Sequence, residues 1–72
     1  MVMHEIVAAR NALIDAKVEQ ITDTSPDNVT ATYRAEVEYW TLVAAMNPVS
    51  IRYEVEEYLA ALRARYAVKI GN

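Results

Sequence analysis

The sequence predicts an all-α fold, a compact three-helix bundle with helices near residues 3–22, 26–46 and 48–67. Three observations carry that expectation. Apolar residues recur at i, i+3, i+4 and i+7 in three successive segments of roughly twenty residues. Ser25-Pro26-Asp27 and Asn47-Pro48 each write a helix start between those segments. The only glycine is Gly71, so nothing in the interior supplies the residue that a tight hairpin turn favours.

In the first segment Met3, Ile6, Val7, Arg10, Leu13, Ile14, Lys17, Val18 and Ile21 form one stripe. Arg10 and Lys17 fit on it because their aliphatic stems cover apolar surface while their charged ends reach outward.

The second segment begins with a side-chain oxygen at Ser25, a proline at a position where no N–H is missed, and an acid at the positive end of the helix dipole. Its end is set by Pro48, which disfavours helical backbone at Asn47. Two sides of this helix are apolar. Val29, Tyr33, Val37, Trp40 and Ala44 make one, and Ala31, Ala35, Tyr39, Leu42 and Met46 the other, with Asp27, Thr30, Arg34, Glu38 and Thr41 as the polar stripe. Such a helix needs two neighbours, either both flanking helices or one of them and a foreign chain. The same residues also alternate with a period of two, and Thr30, Thr32, Val29 and Tyr33 favour strands. The alternative fold is therefore α+β, with a hairpin near 18–34 between helices.

In the third segment Ile51, Val55, Tyr58, Leu59, Leu62 and Tyr66 form the stripe. Glu54, Glu56 and Glu57 lie toward its start and Arg63, Arg65 and Lys69 toward its end, the order that complements the dipole. Asn47 or Ser50 is the expected cap. Beyond Tyr66 the pattern fades, and residues 68–72 are expected to form an extended tail on a single small domain spanning 1–72.

Composition narrows the function. At 72 residues the chain is near the size where one core is marginal, it has no cysteine to staple it, and 54% of it is hydrophobic. That combination points to association with another chain. The net charge of -3 argues against general affinity for nucleic acid or anionic membrane. The charge is uneven, with three bases against seven acids before residue 50 and four bases against three acids after it. No apolar run has transmembrane length and no signal peptide is recognisable at the start, so a cytoplasmic location is expected.

Catalytic constellations are not found. His4, the one histidine, reads as a solvated terminal side chain. Asp23, Ser25 and Asp27 resemble the start of a calcium loop, but Asn28 stands where the turn glycine belongs and Arg34 where the bidentate acid belongs, so the stretch reads as a capped interhelix loop. The three glutamates spread around their helix and read as a solvated first turn. No catalytic, cofactor-binding or metal-binding residue is assigned, and no cofactor is expected.

Residues 8–16, "AARNALIDA", resemble the first helix of the small lambda-type phage head-tail joining proteins, and residues 29–40, "VTATYRAEVEYW", are similar to the strand that leads into their second helix. The resemblance covers at most residues 5–46. It implies an α+β fold and a structural, non-enzymatic role in the virion, in a ring at the neck of the particle.

The expected function is a non-enzymatic protein-protein interaction or assembly subunit that self-associates as a homo-oligomer or joins a larger assembly. Five tyrosines and one tryptophan supply the residue types enriched at binding hot spots, and Tyr39, Trp40, Tyr53 and Tyr58 are the expected anchors. The alternative is a small nucleic-acid-binding or regulatory protein that uses Arg52, Arg63, Arg65 and Lys69.

Overall fold

The computed structural model describes residues 3–71. They form three α-helices, α1 (Met3–Thr22), α2 (Pro26–Ala44) and α3 (Pro48–Gly71), and among these residues there is no strand. Residues 18–34, the site of the alternative hairpin, are the end of α1, a three-residue loop and the start of α2. The strand that the phage resemblance implies over residues 29–40 is likewise helix throughout.

Both proline-marked starts act as the sequence anticipates. Ser25 caps α2, its Oγ accepting from the Asn28 N–H at 3.4 Å, while Asp23 Oδ1 accepts from the Ser25 N–H at 3.0 Å. Asn47 rather than Ser50 caps α3, its Oδ1 accepting from the Ser50 N–H at 2.9 Å. The side-chain oxygens of Asp23 and Ser25 are thus engaged with backbone N–H groups of the turn. α2 stops two residues short of the expected end because its chain tightens, the Ala45 and Met46 N–H groups donating to Leu42 and Val43 carbonyls three residues back. The expected extended tail is not formed: α3 continues through Val68 and Ile70 to Gly71, and Asn72 lies outside the described residues. Ala64, Ala67 and Lys69 are good helix formers, so no breaker ends α3 at Tyr66.

The helices run up, down and up. Ala16 of α1 meets Thr32 of α2 through the Thr32 hydroxyl at 3.2 Å, whereas Ala9 and Leu42 adjoin near the other end, so α2 is antiparallel to α1. Arg10 pairs with Glu54 and Asp15 with Arg65, so α3 runs parallel to α1. The buried apolar residues form one cluster: Ile6, Ala9, Leu13, Ile14 and Val18 from α1, Tyr39 and Val43 from α2, and Tyr58 from α3. α1 packs closely on α2, and α3 leans more loosely on the pair.

Candidate functional site

The two apolar sides of α2 have different fates. Ala35, Tyr39, Leu42 and Met46 face the core together with Thr32 and Val43. The other side stays outside. Val29 is 46% exposed, Tyr33 67%, Val37 50% and Trp40 38%, and Ala44 is exposed as well. At 100° per residue these five positions span about 80° of the helix circumference, a continuous stripe that the flanking helices cover only in part.

Trp40 marks where the stripe meets α3. Its ring stands edge-on to Tyr58 at 5.7 Å and to Tyr39 at 4.9 Å, and Tyr39 and Tyr58 are 5.3 Å apart. Toward the far end, α2 and α3 leave an open groove of about 570 Å³ whose walls include Thr32 and Glu36 on one side and Leu62 and Tyr66 on the other. Three of its polar side chains are already engaged. Lys17 Nζ pairs with Glu36 Oε1 at 3.5 Å, and Thr32 Oγ1 lies within hydrogen-bond reach of the Ala16 and Asn28 carbonyls. Burial works against the charge on Lys17, but neighbouring Tyr58 and Glu36 outweigh it and hold the ammonium above its ordinary range. A groove of this kind offers apolar contact rather than the convergent polar groups that orient a small ligand.

Beneath the aromatic cluster lies a buried charged group. Glu54, 3% exposed, accepts from Arg10 Nη1 at 2.6 Å and from the Tyr39 hydroxyl at 3.1 Å, both on Oε1. Burial, reinforced by the Glu54 carboxylate, pushes the Tyr39 hydroxyl well above the ordinary tyrosine range. Arg10 Nε and the Tyr58 hydroxyl are buried without a hydrogen-bond partner among the described residues. The expectation that Glu54 belongs to a solvated first turn is therefore corrected. Glu56 and Glu57 are exposed, but Glu54 sits on the core side of α3, because Arg10 projects from the α1 stripe and needs a counter-charge.

The expected anchors divide. Tyr39 and Tyr58 are core residues, 0% and 4% exposed, and cannot present a contact surface; the buried carboxylate draws the Tyr39 hydroxyl inward, and Tyr58 packs on the Tyr39 ring. Trp40 is partly available, and Tyr53 is 66% exposed, on a face of α3 turned away from Leu59 and Tyr66. Tyr33, which was not among the expected anchors, is the most exposed of the large side chains on the α2 stripe. The signal for it was its place on the side opposite Tyr39.

The four basic residues do not gather into one patch. Arg52 lies in the first turns of α3, 3.8 Å from Glu56, while Arg63, Arg65 and Lys69 lie near its end. Arg65 is held by Asp15 at 2.7 Å. His4 is exposed. Among the described residues no group of three or more His, Cys, Asp or Glu side chains is placed to hold a metal ion. No described helix is long and apolar enough to cross a membrane. Comparison with protein-family models, with curated proteins and with solved structures finds no match.

Proposed function

We propose that this chain is a non-enzymatic interaction or assembly subunit that associates through its apolar surface with copies of itself. One observation carries the reading: Val29, Tyr33, Val37 and Trp40 line one face of α2 outside the core, with Leu59 and Tyr66 exposed on neighbouring α3. Side chains of this size set in a contiguous stripe are what a protein partner removes from water, whereas scattered exposed apolar residues need no explanation. The distribution of bases supports the nucleic-acid alternative less well, since Arg52 and Arg65 face acids of their own chain. The narrower role in a phage head-tail joint, and with it a place in a virion rather than in the cytoplasm, rests only on the likeness of residues 8–16 and 29–40 to that family.

Sedimentation equilibrium across a wide concentration range tests the proposal. The expected result is an average mass above the 8.1 kDa of one chain that rises with concentration. A constant 8.1 kDa up to the solubility limit overturns self-association.

A further inference from the structure

We infer that the groove between α2 and α3 binds a single-chain anionic amphiphile, a fatty-acid-like carboxylate whose hydrocarbon lies along Ile21, Leu62 and Tyr66 and whose head meets Arg63. The site is distinct from the α2 stripe and does not depend on self-association.

Three helices build the groove. α1 supplies Lys17, Gln20 and Ile21 from its last turns, α2 supplies Thr32 and Glu36 from its first half, and α3 supplies Leu62, Arg63 and Tyr66 from its second half. It opens because α2 and α3 meet around Tyr39, Trp40, Glu54 and Tyr58 and stand apart beyond them. Its volume of about 570 Å³ falls within the range of small-molecule sites, about 300–1,000 Å³. Most of the surface it offers is apolar.

The chemistry of the lining selects the occupant. Lys17 and Glu36 neutralise each other and Thr32 is bonded to backbone carbonyls, so the interior favours a molecule with few hydrogen-bonding groups of its own. A hydrocarbon chain meets that condition. Of the other polar lining residues Gln20 and Thr24 are uncharged, while Arg63 carries a charge that no acid meets within the described residues. Its own helix offers none, because Leu59, Ala60, Tyr66 and Ala67 occupy the positions one turn away, whereas Arg52 has Glu56 and Arg65 has Asp15. Arg63 also stands more than two turns before the end of α3, beyond the last turn in which the helix dipole favours a base. An anion with an apolar tail uses both features, its head on the guanidinium and its tail in the slot. A partner helix fits less well, since the groove is walled by single turns of α2 and α3 and a standard protein interface takes roughly 800 Å² from each partner.

Titration of the intact chain with sodium dodecanoate below its micelle concentration, followed by amide NMR, tests the assignment. One molecule should bind per chain, with shifts centred on Ile21, Leu62 and Tyr66. Decanoate, shorter by two methylenes, should bind about five- to fifteenfold more weakly, as expected for a chain largely removed from water. Dodecyltrimethylammonium has the same chain and the opposite charge, and should bind about fivefold more weakly than dodecanoate. Arg63→Glu, a change at an exposed position that leaves the helices intact, should reverse that preference. Ile21→Gln should weaken dodecanoate about fivefold, whereas Val37→Gln, outside the groove, should leave it unchanged. Equal affinity for the two amphiphiles, or no effect of Arg63→Glu, overturns the inference. A loss on Val37→Gln as large as that on Ile21→Gln places the chain on the stripe and overturns it too. Absence of any shift up to the micelle concentration also overturns it and leaves the assembly reading, which sedimentation measures, standing.

Discussion

Arg10 Nη1 and Glu54 Oε1 stand 2.6 Å apart inside the bundle, and this contact joins α1 to α3, which contributes Tyr58 to the buried apolar cluster. The two side chains are 15% and 4% exposed, so each charge depends on the other for the solvation it has lost. The Tyr39 hydroxyl brings α2 into the same cluster.

Removing one partner strands the other. Glu54→Ala is expected to destabilise the fold by about 3–5 kcal/mol by leaving the Arg10 charge buried and unpaired. The double replacement Arg10→Met with Glu54→Leu should recover most of that loss, because apolar residues of similar volume replace such a pair at little cost. Urea unfolding of the single and double variants checks both outcomes.

Stability should decline in alkali. The folded-state pKa of Tyr39 lies above its unfolded value of about 10, and that of Lys17 above about 10.5. In both cases the native state retains a proton that the unfolded chain releases, so the stabilisation is complete below those values and is lost as pH rises past them. Tyr39→Phe removes the larger contribution. Its unfolding free energy should be lower at neutral pH, for want of the bond to Glu54, yet fall less steeply above about pH 10. Denaturant titrations between neutral and alkaline pH measure the two slopes.

Two tyrosines on α2 provide a test of which side of that helix is buried. Tyr39→Ala opens a cavity in the core and should cost about 3–5 kcal/mol. Tyr33→Ala, at a site 67% exposed, should leave the stability of the monomer within about 0.5 kcal/mol of the parent. Thermal unfolding at low protein concentration, where self-association does not contribute, separates the two effects.

The helix caps should differ in worth. Asn47→Ala removes a bond of 2.9 Å and is expected to cost about 1 kcal/mol. Ser25→Ala removes one of 3.4 Å, and its cost should be about half as large, with Pro26 and Asp27 still favouring the start of α2. Chemical denaturation of the two variants gives the comparison.

Sequence determined the helices because their causes are local. Ser25-Pro26 and Asn47-Pro48 cap and start α2 and α3 through atoms no more than three residues away, and the α1 stripe is visible as a 3.6-residue period with Ile6, Leu13, Ile14 and Val18 at its centre. The loss of the extended tail at 68–71 was not legible, since helical continuation there needs only good helix formers and no apolar pattern. On α2 the sequence showed two apolar sides but not which one the chain would bury. Tertiary structure decided that through the carboxylate of Glu54, which α3 brings within 3.1 Å of the Tyr39 hydroxyl across fifteen residues of chain. Once Tyr39 is turned inward, the 3.6-residue period carries Ala35, Leu42 and Met46 inward with it and leaves Tyr33, Val37 and Trp40 facing water. Periodicity specifies which residues share a face, but only the partners that other helices supply determine which face is inside.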